Sequence, residues 1–186
     1  GEDIVIDQYQ WFTIGPDTEP AFRKKIKEGA TIGIVSEAGC HGIADPGQAM
    51  VASAQDMGAT VKPLVGPSSI LLALMASGMN GQQFQFVGYL PVDTQARAKT
   101  IRDLEADSAR KNCTQVFIET PYRNIQLLDA LLQQCKPQSR LCIAANMTGK
   151  NESVQTHPIE YWKKNKPELH KQPVIFCLNA TAGPLT

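Results

Sequence analysis

Between residues 17 and 78 the sequence repeats one pattern: a short β-branched run, a glycine-bearing turn, a helix-forming segment, and a glycine that stops it. "DTEPAFRKKIKEG" (17–29) opens on two N-cap types, Asp17 and Thr18, and closes on Gly29, which predicts a helix. "TIGIVS" (31–36) predicts a buried strand. "DPGQAMVASAQDMG" (45–58) predicts a second helix with Asp45 as N-cap, Pro46 in its first turn and Gly58 beyond its end. "TVKPL" (60–64) predicts another strand, and "PSSILLALMASG" (67–78) a helix that starts near Ser68 and stops at Gly78. Strands alternating with helices argue for a parallel sheet covered by helices. In such sheets ligands bind at the loops leaving the carboxyl ends of the strands. Both "GCHGIADPG" and "VGPSS" are loops of that kind.

The cluster "GMNGQQ" (78–83) reads as a linker, which divides the chain into domains 1–80 and 81–186. Beyond it the pattern is α/β again but less regular. Strands are predicted at 84–90, 114–120, 140–146 and 173–179, with helices at 94–107 and 122–135. The second of these helices carries Ile125, Leu128, Leu131, Leu132 and Cys135 along one face. The segment from Ser153 to Asn165 is expected to hold a strand and a short helix.

Charge and cysteine content narrow the function classes. Lys plus Arg and Asp plus Glu both number 18, so the chain lacks the strongly basic footprint of a protein that grips nucleic acid by phosphate contacts alone. The longest apolar run, Ile70 to Ala76, is far shorter than a membrane span. Five widely spaced cysteines with no C-x-x-C fit reduced, buried thiols in a cytoplasmic protein. The sequence opens on Gly rather than Met, and further sequence is expected upstream.

Candidate chemistry concentrates in four places. In "SEAGCHGIADPG" (36–47) the adjacent Cys40 and His41 suggest a metal site or a thiol nucleophile. A zinc site needs three or four converging ligands, and a Cys–His pair usually draws its imidazole from another element. No metal is therefore expected. Gly39 and Gly42 are more telling, because they permit close backbone approach ahead of a helix N-terminus. Here a backbone cradle for a ligand competes with a plain glycine turn. In "LVGPSS" Ser68 or Ser69 can cap a helix or meet a ligand. In "FIETPYR" (117–123) Glu119 is a candidate base or hydroxyl acceptor, against the reading of a surface carboxylate paired with an arginine. Arg97 and Arg123 are candidates for a phosphate or carboxylate, against solvated surface arginines.

These stretches match a known family in order. "VSEAGCHGIADPG", "PLVGPSSILLALMASGM", "FQFVGYLP" with its following Arg97, and "FIETPYR" resemble the successive motifs of the tetrapyrrole methylase superfamily, most nearly its RsmI-type branch of ribosomal RNA ribose methyltransferases. The resemblance covers nearly the whole chain from about residue 25. It implies two αβα domains of the tetrapyrrole methylase fold with S-adenosylmethionine in the cleft between them, a product S-adenosylhomocysteine, and a homodimer. It further implies a cofactor-binding set of Gly39, Cys40, Gly42, Ile43, Asp45, Ser68, Ser69, Ile70, Ile118, Ala144, Ala145, Asn146, Pro173 and Val174. Arg97 and Arg123 fall to the substrate and Glu119 to catalysis. The implied substrate is RNA of the small ribosomal subunit, with a tetrapyrrole as the alternative.

Two departures from the pattern matter. The family's opening strand and its proline-rich cofactor loop are absent, so the N-terminal domain is expected to be truncated. The RsmI-type pattern A-R-E-x-T-K-x-x-E reads "AANMTGKNE" (144–152), with Ala145 and Asn146 in place of Arg and Glu. That substitution leaves open a diverged S-adenosylmethionine-binding module without methyl transfer.

Overall fold

The structure is a computed structural model, and it describes residues 8–15, 17–35 and 47–181. The chain divides into two compact units, Gly1–Pro67 and Ser68–Thr186. The division falls ahead of the Gly78–Gln83 cluster read as a linker. Helix α3 thus belongs to the second unit, because its apolar side packs on that unit's sheet.

The described part of the first unit is built on two helices, α1 (Thr18–Lys27) and α2 (Gly47–Asp56). Both stop where their glycines predict, while the cap residues predicted for the second, Asp45 and Pro46, lie outside the described residues. Gly58, φ +69°, ends the second of them in the left-handed conformation that glycine adopts without strain. Helix α1 buries no residue, whereas α2 buries Met50, Ser53 and Ala54. The two are tied by a polar triad. The Ser53 hydroxyl donates to Glu19 Oε1 at 2.5 Å, and Arg23 Nη1 donates to Ser53 Oγ at 3.2 Å and to Glu19 Oε1 at 3.3 Å. The Ser53 hydrogen bond, followed by Arg23, lowers the Glu19 carboxyl below its ordinary value.

The predicted strands of this unit do not form among the described residues. Thr31–Val35 and Thr60–Leu64 carry no ladder. Val35 is 70% exposed and Leu64 93%. A strand, unlike a helix, has no hydrogen bonds of its own to close and exists only beside a partner. Among the described residues, the β-branched run at 31–35 is therefore a strand in composition and not in pairing. The parallel sheet expected of the first domain has no ladder among those residues.

The second unit carries a five-stranded sheet in the order β1-β2-β5-β3-β4. Its strands are β1 (Phe84–Tyr89), β2 (Thr114–Ile118), β3 (Arg140–Ala145), β4 (Ser153–Pro158) and β5 (Val174–Asn179). Only β1 and β2 pair in parallel; β2–β5, β5–β3 and β3–β4 are antiparallel. The last strand in sequence thus sits at the centre of a mixed sheet. The ends of β1, β2 and β3 and the starts of β4 and β5 share one edge.

Helices α3 (Ser69–Ser77), α4 (Thr94–Lys111), α5 (Asn124–Gln134) and α6 (Ile159–Lys164) cover the two faces. Helix α4 is capped by Asp93, whose Oδ1 accepts the Ala96 N–H at 2.8 Å, and ends on Asn112 at φ 49°. One face of the sheet packs Phe117, Leu141, Ile143, Phe176 and Leu178 against Ile101 of α4, Leu127, Leu128 and Leu131 of α5, and Ile159 and Trp162 of α6. The other packs Val116, Cys142, Ala144, Ile175 and Cys177 against Ala73 and Leu74 of α3. Each fully buried Leu or Phe contributes about 1.5–3 kcal/mol. The α5 face differs from expectation: Leu127 is buried and Ile125 is 38% exposed, because the helix turns Asn124 inward with Leu128 and Leu131.

Candidate functional site

The shared edge of the sheet in the second unit gathers most of the predicted site. Val174 pairs with Ala145 and Ile175 pairs with both Ala144 and Ile118, so the ends of β2 and β3 flank the start of β5. The turn beyond β3 folds back on this edge. Asn146, at φ 53°, donates its main-chain N–H to the Pro173 carbonyl at 2.9 Å. Helix α3 runs toward the same place. Ser77, at its far end, accepts from the Thr156 hydroxyl, while Ile70 in its first turn borders the apolar cluster that also holds Ile118, Ala144 and Met147. Ser68 is buried and caps the helix, its Oγ accepting the Leu71 N–H at 3.5 Å. Ser69 is half-buried beside it.

The structure therefore brings Ser68, Ser69, Ile70, Ile118, Ala144, Ala145, Asn146, Pro173 and Val174 to one edge of one unit. Gly39, Cys40, Gly42, Ile43 and Asp45 lie outside the described residues.

Glu119 follows β2 directly, and its side chain is fully buried. Its Oε1 accepts the Thr120 N–H at 2.6 Å and both Nε and Nη2 of Arg123, at 3.1 and 2.8 Å. This is a charge-assisted clamp across the ETPYR turn. The pairing raises the Arg123 guanidinium above its already high ordinary value. Glu119 Oε2 is buried without a hydrogen-bond partner. The carboxylate–arginine pair of the sequence reading is thus present, but with the carboxylate in the interior rather than on the surface.

Arg97 is not the solvated arginine of its bland reading. It sits on the inward stripe of α4 with Ile101, Glu105 and Ser108, and its Nε is buried and unpaired.

Two residues of the site carry no signal strong enough to single them out in sequence. Asn124 is fully buried; its Nδ2 donates to the Gln172 carbonyl at 2.7 Å, and its Oδ1 has no hydrogen-bond partner. Gln172 accepts the Asn146 amide at 2.8 Å and so links the β3 turn to the start of β5. Their only mark in the sequence is a place one residue after "ETPYR" and one residue before "PVIF". Among the described residues no group of three His, Cys, Asp or Glu side chains could hold a metal ion. A cavity of about 120 Å³ under β3, between Trp162, Gln155 and Gln172, is large enough for waters and too small for a nucleoside.

No family model matches the sequence. Curated relatives do. The Ribosomal RNA small subunit methyltransferase I of Vibrio cholerae is 33% identical over 135 residues, 73% of this chain and 46% of its own length. That of Synechocystis sp. is 30% identical over 159 residues, 83% and 53% respectively. That of Mycobacterium bovis is 35% identical over 129 residues, 69% and 44%.

The chain is a relative of these methyltransferases with the tetrapyrrole methylase fold. The solved structure of the methyltransferase CobJ matches 90% of this chain and 74% of its own at a TM-score of 0.59 and 18% identity. A Thermus thermophilus uroporphyrin-III C-methyl transferase, solved with S-adenyl homocysteine, matches 90% and 75% at 0.51 and 17%. The chain spans about half the length of the curated relatives it matches.

Proposed function

We propose that the protein is an S-adenosylmethionine-dependent methyltransferase that modifies the 2′-hydroxyl of an RNA ribose. The observation that carries this reading is the sheet edge of the second unit, where two buried side-chain acceptors, Glu119 Oε2 and Asn124 Oδ1, lack hydrogen-bond partners. Buried acceptors without donors are rare and call for a ligand or water. Asn124 Oδ1 suits a donor of S-adenosylmethionine, which offers an ammonium, ribose hydroxyls and an adenine amine, and Glu119 Oε2 suits the hydroxyl of an acceptor ribose. The named relatives point to the same chemistry.

When bound, S-adenosylmethionine supplies a methyl group on a sulfonium, which is already a good leaving group. The residues of this chain then have mainly to position the acceptor. Ile118, Ala144–Asn146, Pro173–Val174 and Ser68–Ile70 would hold the cofactor on the second unit. Glu119 fixes the orientation of Arg123 through the clamp and leaves one carboxylate oxygen free to accept a proton from a hydroxyl. Arg97 and Arg123 bind anionic groups of the substrate. The reading includes a cytoplasmic homodimer, and the four cysteines among the described residues, all free and buried, fit a reducing compartment.

A second reading, methylation of a tetrapyrrole carbon, is supported by the fold neighbours and by two arginines suited to ring carboxylates. A third, a binding module without transfer, is supported by Ala145 and Asn146 where the relatives' pattern has Arg and Glu. Methyl transfer from labelled S-adenosylmethionine to small ribosomal subunits, run beside tetrapyrrole precursors, separates the three. Label in the RNA ribose is expected. Label in the tetrapyrrole alone overturns the first reading, and cofactor binding by calorimetry with no transfer to either favours the module.

A further inference from the structure

Beside the buried clamp, the same edge presents exposed rings that the cofactor reading does not use. Tyr89, the last residue of β1, is 58% exposed, and Tyr122, in the turn after β2, is 69% exposed. A register shift between Phe86 and Gly88, with Gly88 at φ +69°, places Tyr89 opposite Ile118. Bulges of this kind re-aim side chains and are common beside active sites. Arg123 follows Tyr122 in sequence, and its partner Glu119 follows Ile118, the residue that pairs with Tyr89. Tyr122 meets exposed His170 edge to face, with centroids 6.2 Å apart at 75°. Lys171, also exposed, ties this loop to the turn by donating its N–H to the Pro121 carbonyl at 3.1 Å.

We propose that Tyr89, Tyr122 and His170 form a stacking platform for unpaired bases of a single-stranded RNA, with Arg123 and Lys171 alongside for its backbone. The inference rests on the RNA reading above and names the surface that would hold that substrate beside the cofactor edge. Exposed aromatic rings with interleaved cations bind single strands, because every base has a face to stack and duplex bases do not offer theirs. Tyr122 and His170 stand 75° apart, so they suit bases splayed separately and not one broad planar macrocycle. Charge plays the smaller part. The clamp with Glu119 already engages Arg123, and exposed Glu168 accepts the His170 N–H at 2.8 Å. Stacking without a large basic field also suits a chain whose formal net charge is zero.

The test is fluorescence polarisation of the full protein with a labelled single-stranded oligoribonucleotide, in parallel with the same sequence as a duplex. Tyr89→Ala and Tyr122→Ala are each expected to weaken single-strand binding roughly tenfold, while the Phe substitutions stay within about twofold of the parent. The dependence on salt is expected to be shallow, and Lys171→Ala to reduce its slope by about one at most. Unchanged affinity in the alanine variants overturns the proposal, as does an equal loss in the phenylalanine variants. Loss of a tetrapyrrole carboxylate by the alanine variants, with RNA binding untouched, assigns the platform to the other substrate class and also overturns it. Calorimetry with S-adenosylhomocysteine on the same variants is expected to match the parent. A parent that binds RNA but no cofactor sinks the methyltransferase reading and leaves the platform standing.

Discussion

The two units respond differently to the same kind of sequence. Both carry capped helices that stop on glycine, and both carry β-branched runs. In the first unit the helices form and the runs at 31–35 and 60–64 have no partner strand among the described residues; in the second every predicted strand finds a ladder. The difference separates what a segment decides alone from what it decides only in company. A helix closes its hydrogen bonds within itself, so Gly58 and Gly78 end helices equally well in either unit. A strand borrows its structure from a neighbour that the local sequence does not name.

Each unit contains one tryptophan, exposed Trp11 and buried Trp162, so the comparison can be probed unit by unit. The largest effect is expected from Leu131→Ala, which empties a fully buried site in α5. Urea unfolding followed at Trp162 should show a loss of about 2–5 kcal/mol. Leu64→Ala should change the same transition by less than about 0.5 kcal/mol. A comparable loss in both would mean that the first unit's apolar run is packed after all.

Next comes Cys135, whose thiol is pushed up to about 12 from 9.0 by burial and then by neighbouring Glu105. The native state holds that proton after the unfolded chain has released it. Stability of the second unit should therefore be intact below pH 9 and decline as pH rises toward about 12. A Cys135→Ala variant should flatten that alkaline decline; an identical decline would show that other groups cause it.

A smaller effect is expected from the glycine stops. Gly78→Ala strains a left-handed residue and should cost the Trp162 transition about 1 kcal/mol. Gly58→Ala carries the same local strain but should leave that transition within about 0.5 kcal/mol. Equal shifts would show the two units unfolding as one.

The subtlest test concerns the α1–α2 triad. Glu19 titrates below its ordinary 4.5, so its contribution is present above that pH and lost as pH falls through the lowered value. Removing the hydroxyl with Ser53→Ala should move the Glu19 midpoint, followed by NMR, back toward 4.5. No movement would mean that the triad is not formed in solution.

Helix boundaries and the strands of the second unit were legible because caps, glycine stops and β-branched runs are local signals. The four ordered motifs made the fold family legible as well. Strand order was not, because nothing in "PVIFCLN" says that it pairs with both "TQVFI" and "RLCIA". On the α5 face Leu128, Leu131, Leu132 and Cys135 are buried as expected, and Ile125 alone was misplaced, because Asn124 and Leu127 are turned inward instead. Burial of the Glu119 side chain was equally hidden: a carboxylate four residues before an arginine looks the same in sequence whether it lies in the core or in water.

The central place of β5 has a consequence in time. As the chain is made from its N-terminus, β2 and β3 appear long before the strand that joins them, with no ladder between them. Until Val174–Asn179 emerges, the growing polypeptide holds two separate strand pairs with open edges, the arrangement most exposed to wrong partners. Completion of the second unit therefore waits for its fifth strand and is abrupt when that strand emerges. A stop codon even a few residues ahead of Val174 would leave two halves and no sheet.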